Sequence, residues 1–183
     1  MTWWLAARNP DKFYRAMVLN VPHPAAMMRT MRRNPAQMRK SWYILAFQLP
    51  WLPEWLIPRM QVLEKSSHPE TFTAEDVRKY QAAWREPGAL TGMVNWYRAL
   101  VRGRPVLPNP RVTIPMLIVF GEQDVAITRR AMVDSLDFCD EGSIYFLAEA
   151  THWVQHDEPE RVNGLIGRFL AGEFDESDPT VAN

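Results

Sequence analysis

The chain has 183 residues, 47% of them hydrophobic and 23% charged, with a formal net charge of zero. These proportions describe a soluble globular chain long enough to bury a core, and they exclude a disordered one. Its single cysteine, Cys139, excludes a disulfide framework, fits a reducing cytoplasmic setting and reads as a small buried residue.

The chain opens in a helical pattern, "TWWLAARNPDKF", which stops at Asn9-Pro10 because Pro disfavours helix in the residue before it. "RAMVLNVP" follows as a short apolar run closed by Pro-His-Pro, the pattern of a buried strand. Charge is uneven: residues 1–60 hold nine Lys/Arg against two Asp/Glu, and 120–183 hold four against fourteen. The densest basic run is 29–40, "RTMRRNPAQMRK". With no net charge behind it, a solvated helix face explains that run more simply than nucleic acid or an anionic membrane. No uncharged stretch is longer than the 13 residues of Ser41–Pro53, which is too short to span a bilayer. The start shows neither a basic n-region nor a small-residue cleavage site.

Residues 25–107 carry no strand pattern and read as helices broken at Pro35, Pro50, Pro53, Pro58, Pro69, Pro87 and Pro105. The clearest helix is "FTAEDVRKYQAAW", where Thr73 caps, Asp76 completes a capping box, and Val77, Tyr80 and Trp84 recur at helical spacing. "ALTGMVNWYRALV" is another. Beyond the Pro-rich joint "RPVLPNPRVTIP" the pattern changes. "MLIVFGEQD" reads as a fully covered parallel strand, "TRRAMVDSLDFC" as a helix, "GSIYFLAEA" as a second strand and "PERVNGLIGRFLAGE" as a terminal helix. The acidic "FDESDPTVAN" reads as a frayed tail. No Gly-rich phosphate loop and no Cys/His metal spacing is present, so no cofactor or metal is expected.

In parallel α/β sheets ligands sit beyond the carboxyl ends of the strands. Asp124 follows one strand and His152 the next, so the two can meet by hydrogen bond. A carboxylate there fixes the imidazole tautomer and makes His an effective general base. Alone, Asp124 would be a turn residue and His152 a polar loop residue. His156 reads as structural, beside an Asp157 placed to cap the helix begun at Glu158-Pro159.

"IPMLIVFGEQDVAI" followed by "ATHWVQHDEPERV" resembles the last third of an α/β-hydrolase, and most closely its epoxide hydrolase branch, whose relatives include haloalkane and haloacetate dehalogenases. "WYILAFQLP" and "MVNWYRAL" are similar to that family's two lid-tyrosine segments, and place those roles on Tyr43 and Tyr97. "TWWLAARNPDKFYRAMVLNVPHP" matches the helix and strand ahead of the lid. The resemblance implies the C-terminal part of an α/β-hydrolase fold, three parallel strands with flanking helices, plus an inserted all-α lid. Residues 1–24 would be core, 25–107 the lid, 108–172 the C-terminal core and 173–183 a disordered tail. It implies that small apolar epoxides are opened to vicinal diols through an Asp ester, with Tyr43 and Tyr97 donating to the epoxide oxygen and His152, oriented by Asp124, activating water. Ordinary aromatic packing is the plainer role for the two tyrosines.

The family's nucleophile turn, Gly-x-Asp-x-Gly, is absent from the sequence, as are Gly-x-Ser-x-Gly and the His-Gly-x-Pro oxyanion loop. The family's order would place the nucleophile turn just upstream of "MTWWLAARNP". The expectation is therefore an incomplete chain, inactive alone. It would be a mis-started gene model, half of a split enzyme whose N-terminal half lies on another chain or copy, or a protein kept for binding through its Trp/Met-rich lid. A dehalogenase is the alternative enzyme, but paired tyrosines favour an epoxide oxygen over a halide. Some relatives carry the acid after the earlier strand, where this chain has the amide Asn20, so Asp124 keeps the role.

Overall fold

The structure is a computed structural model and describes residues 1–103, 110–174 and 181–182. It divides into two compact units, Met1–Lys40 with Leu107–Asn183, and Ser41–Val106.

The first unit is built on a sheet ordered β1 (Ala16–Leu19), β2 (Met116–Gly121), β3 (Gly142–Leu147) and β4 (Val181–Ala182). The first three strands are parallel, with Ala16 opposite Met116 and Met116 opposite Gly142. Every residue of β2 is buried, and the period-two alternation of a strand sorts its side chains onto two faces. Met116, Ile118 and Phe120 pack with Trp3 of α1 (Thr2–Arg8) and with Ala131 and Met132 of α9 (Arg129–Val133). Leu117 and Val119 pack with Val154 of α10 (Val154–Asp157) and with Val162, Leu165 and Phe169 of α11 (Pro159–Ala171). A strand covered on both faces needs a continuous apolar run, and "MLIVF" supplies it.

The sheet unit also holds α2 (Pro24–Arg33) and α3 (Pro35–Lys40). The lid boundary expected at residue 25 therefore differs from the unit boundary, which falls at Ser41. Polar bonds to the residues around α9 account for this. Thr30 Oγ1 donates to Asp134 Oδ2 at 2.8 Å, Arg29 pairs with Asp137 at 2.6 Å, and Gln37 bonds Thr128. The basic run is thus part of the fold's wiring as well as a solvated face.

The second unit contains α4 (Trp42–Ala46), α5 (Leu52–Leu56), α6 (Val62–Lys65), α7 (Ala74–Arg85) and α8 (Ala89–Arg102). Its described residues form no strand, and the Thr73–Asp76 capping box is complete at the start of α7.

Two expectations need correction. The helix read over "TRRAMVDSLDFC" is only α9 followed by a 3₁₀ turn at Leu136–Phe138. Between them Ser135 Oγ turns back to the Ala131 carbonyl and also receives His23 N, so its hydroxyl competes with regular helix continuation. In the tail, Val181 and Ala182 pair antiparallel with β3 rather than fraying. Residues 104–109 of the Pro-rich joint, and 175–180 and 183 of the tail, lie outside the described residues.

Candidate active site

Strand β2 ends at Gly121 and runs into the turn that carries Asp124, whose side chain is wholly buried. Its Oδ1 accepts from the backbone N–H of Ala126 at 2.6 Å and of Ile127 at 2.9 Å. Its Oδ2 lies 2.8 Å from His152 Nδ1. An ionised carboxylate only accepts, so the hydrogen of this bond is on Nδ1, which in the neutral ring leaves the lone pair on Nε2. The His152 side chain is 37% exposed, which leaves room for a reactant at the ring. The structure therefore brings together the two sequence-selected groups of the sheet unit.

Helix α3 clamps the acid turn from outside. Gln37 is fully buried; its Nε2 donates to the Ala126 carbonyl at 2.9 Å, and its Oε1 accepts from Thr128 N and Oγ1, each at 2.8 Å. The Lys40 ammonium donates to the carbonyls of Asp124 and Ile127. Sequence reasoning left both residues inside a basic helix, and nothing in their local spacing marks them.

The His152 loop is fixed through Thr151. Its N–H and hydroxyl both donate to Asp157 Oδ2, at 2.7 and 2.6 Å, and its carbonyl accepts from Asn20 Nδ2 at 2.9 Å. Asp157 does not cap α11, whose N-cap residue is Glu158 and carries no side-chain cap bond; the expected capping role is replaced by this hold on Thr151. His156 is exposed, its ring 6.0 Å from that of Trp153. Cys139 is buried, and desolvation pushes its thiol up to about 11.

In the helical unit, Tyr43 on α4 and Tyr97 on α8 lie edge to face, with ring centroids 5.6 Å apart. Phe47 completes the cluster at 5.5 and 5.0 Å from them. Burial raises the Tyr97 phenol above its ordinary value and so keeps it a protonated donor. The neighbouring Arg98 donates to the Phe47 and Leu49 carbonyls and pairs with Glu54 at 2.7 Å. It thereby ties the end of the Tyr43 helix to the Tyr97 helix.

Among the described residues no three His, Cys, Asp or Glu side chains group to hold a metal ion, and no helix is long and apolar enough to cross a membrane.

No family model matches the chain. It is 36% identical over 179 residues to the AB hydrolase superfamily protein YfhM of Bacillus subtilis, covering 94% of this chain and 63% of that one. To human epoxide hydrolase 4 it is 34% identical over 190 residues, covering 97% of this chain and 52% of that one. Among solved structures it is similar to an epoxide hydrolase from Bacillus megaterium in complex with an inhibitor, with a TM-score of 0.80 and 27% identity over 92% of this chain and 64% of that one. The chain thus spans between about half and just under two thirds of these relatives. By its sheet, its flanking helices and this consistent likeness, the chain belongs to the α/β-hydrolase superfamily, in its epoxide hydrolase-like branch, and holds a C-terminal portion of that fold.

Proposed function

We propose that the chain carries the water-activating and oxygen-activating groups of an epoxide hydrolase, acting on small apolar epoxides in a cytoplasmic setting. The observation that carries this reading is the 2.8 Å hydrogen bond between His152 Nδ1 and a buried, otherwise saturated Asp124 carboxylate. The tyrosine pair supports it, since paired phenols suit an epoxide oxygen better than a halide, and a related Bacillus megaterium enzyme was solved with its naphthyloxy-propanediol product.

In this reading the Ser41–Val106 unit serves as a lid. A carboxylate attacks a ring carbon, the C–O bond breaks toward oxygen, and Tyr43 or Tyr97 delivers a proton to that oxygen, giving a hydroxyalkyl ester. Donors aimed where the charge develops lower the barrier electrostatically. His152 Nε2 then takes a proton from water, and the hydroxide adds to the ester carbonyl. The ester bond breaks as the leaving alkoxide takes the proton of the added hydroxide, which releases the diol and restores the carboxylate; Asp124 stabilises the imidazolium until its proton returns to the tyrosinate through solvent. The sequence contains no Gly-x-Asp-x-Gly segment, so the nucleophile comes from outside these 183 residues, on the same or another polypeptide.

The test translates the DNA in frame upstream of the Met1 codon, then assays styrene-oxide hydrolysis by this chain joined to, or mixed with, the segment bearing the nucleophile. His152→Ala is expected to lower turnover by about 10²–10⁴-fold, and Tyr43→Phe or Tyr97→Phe by about 10²–10³-fold each. Diol formation unaffected by His152→Ala would refute the assignment.

A further inference from the structure

We infer that Asn20 is a positioning residue for His152, holding through its carboxamide the backbone on which the general base stands. The inference rests on the proposed Asp124–His152 pair.

Asn20 closes β1, is 3% exposed, and adopts a left-handed backbone with φ 52°. That conformation favours Gly, and among other residues Asn tolerates it best. The carboxamide explains why Asn occupies a position that Gly would fill with less strain. Its Nδ2 donates to the Thr151 carbonyl at 2.9 Å, and its Oδ1 accepts from the Gly121 N–H at 2.9 Å. One buried side chain therefore joins the residue before His152 to the last residue of β2, three positions ahead of Asp124.

The two segments meet closely. A Cβ on Gly121 would lie 2.2 Å from the Thr151 oxygen, so position 121 itself has no room for a side chain and the link between the segments comes from Asn20. Thr151 is already held at its N–H and hydroxyl by Asp157; Asn20 supplies the remaining hold, on its carbonyl. A carboxylate cannot substitute. It could still accept from Gly121, but it would set an anionic acceptor against the Thr151 carbonyl, with no donor between them. The amide thus works by what it donates, in a place where an acid would push the His152 loop away.

The experiment uses the 183-residue chain and needs no turnover. In ¹⁵N-labelled protein, the low-field proton on His152 Nδ1 is observed and its exchange with water measured in wild type, Asp124→Asn, Asn20→Asp and Asn20→Gly. Asn20→Gly removes the carboxamide while relieving the left-handed backbone, and retained strand amide dispersion identifies a folded variant. Loss of the resonance in Asp124→Asn is the outcome that supports the underlying pair; its absence in wild type overturns pair and inference together. With the pair established, both Asn20 variants are expected to speed that proton's exchange by about tenfold, the effect of about one net hydrogen bond. Strand amide dispersion should stay intact. If both lower thermal stability while leaving the His152 proton and its exchange unchanged, Asn20 is a structural residue only and the inference fails.

Discussion

His23 is completely buried, its ring stacked on Phe138 with centroids 4.5 Å apart and edge-on to Trp3 at 5.1 Å. Its Nδ1 accepts from Ala25 N at 3.1 Å and so caps α2, a role open only to the neutral ring. Burial lowers its pKa to about 4, more than the Pro110 carbonyl raises it. The unfolded chain, with His23 near 6.5, therefore binds more protons than the folded one between pH 6.5 and 4. Stability is fully present above that window and is lost as pH falls through it, by about 3 kcal/mol in total from this residue. Urea unfolding at pH 7.5, 5.5 and 4.5 should show that loss, and His23→Asn, which keeps a cap acceptor but does not titrate, should flatten it. The same scale shows why the site was only half legible. Asp124 and His152 stand out because strand ends are visible in the apolar pattern. Asn20 and Gln37 act on partners 131 and 91 residues away, and no local spacing encodes such a bond.

At the scale of elements, legibility follows the span of the interaction that shapes each one. The α7 capping box lies within three residues and was readable. The break after α9 was not, because it depends on Ser135 meeting His23, 112 residues away. The same reasoning singles out α8 and α4, which meet through Arg98. The pair is well shielded, with Arg98 12% and Glu54 19% exposed, and Arg98 holds the Glu54 carboxyl below its ordinary range. Arg98→Ala would strand that carboxylate and two loop carbonyls, at a cost of about 2–3 kcal/mol. Arg98→Lys should recover only part of this, since an ammonium lacks the planar fork. Urea unfolding followed by tryptophan fluorescence measures the loss, and faster amide exchange across Tyr43–Phe47 would locate it. Thr73→Ala, removing one exposed cap, is expected to cost about 1 kcal/mol.

Across the whole molecule, the charge asymmetry between the chain's ends becomes in part internal pairing, of Arg29 with Asp134 and Asp137. The basic run and the acidic half are partly each other's counterions. Core distribution makes a sharper prediction. The sheet unit buries β2 completely between two apolar clusters, whereas the buried hydrophobic side chains described in the helical unit include only Leu63, Phe72 and Val94. That unit instead exposes Trp42, Trp51, Trp55 and Trp96, with Trp51 at 82%. Local stability follows buried apolar contact, so amides of β2 and β3 should exchange slowest and those of α4–α8 much faster. The exposed tryptophans report mainly on the weaker unit. Fluorescence should therefore pass its urea midpoint before near-UV signals from the buried Phe120, Tyr145 and Phe146 do, and two-state behaviour should fail. Coincident midpoints with uniform protection would instead mean that the two units unfold in one cooperative step.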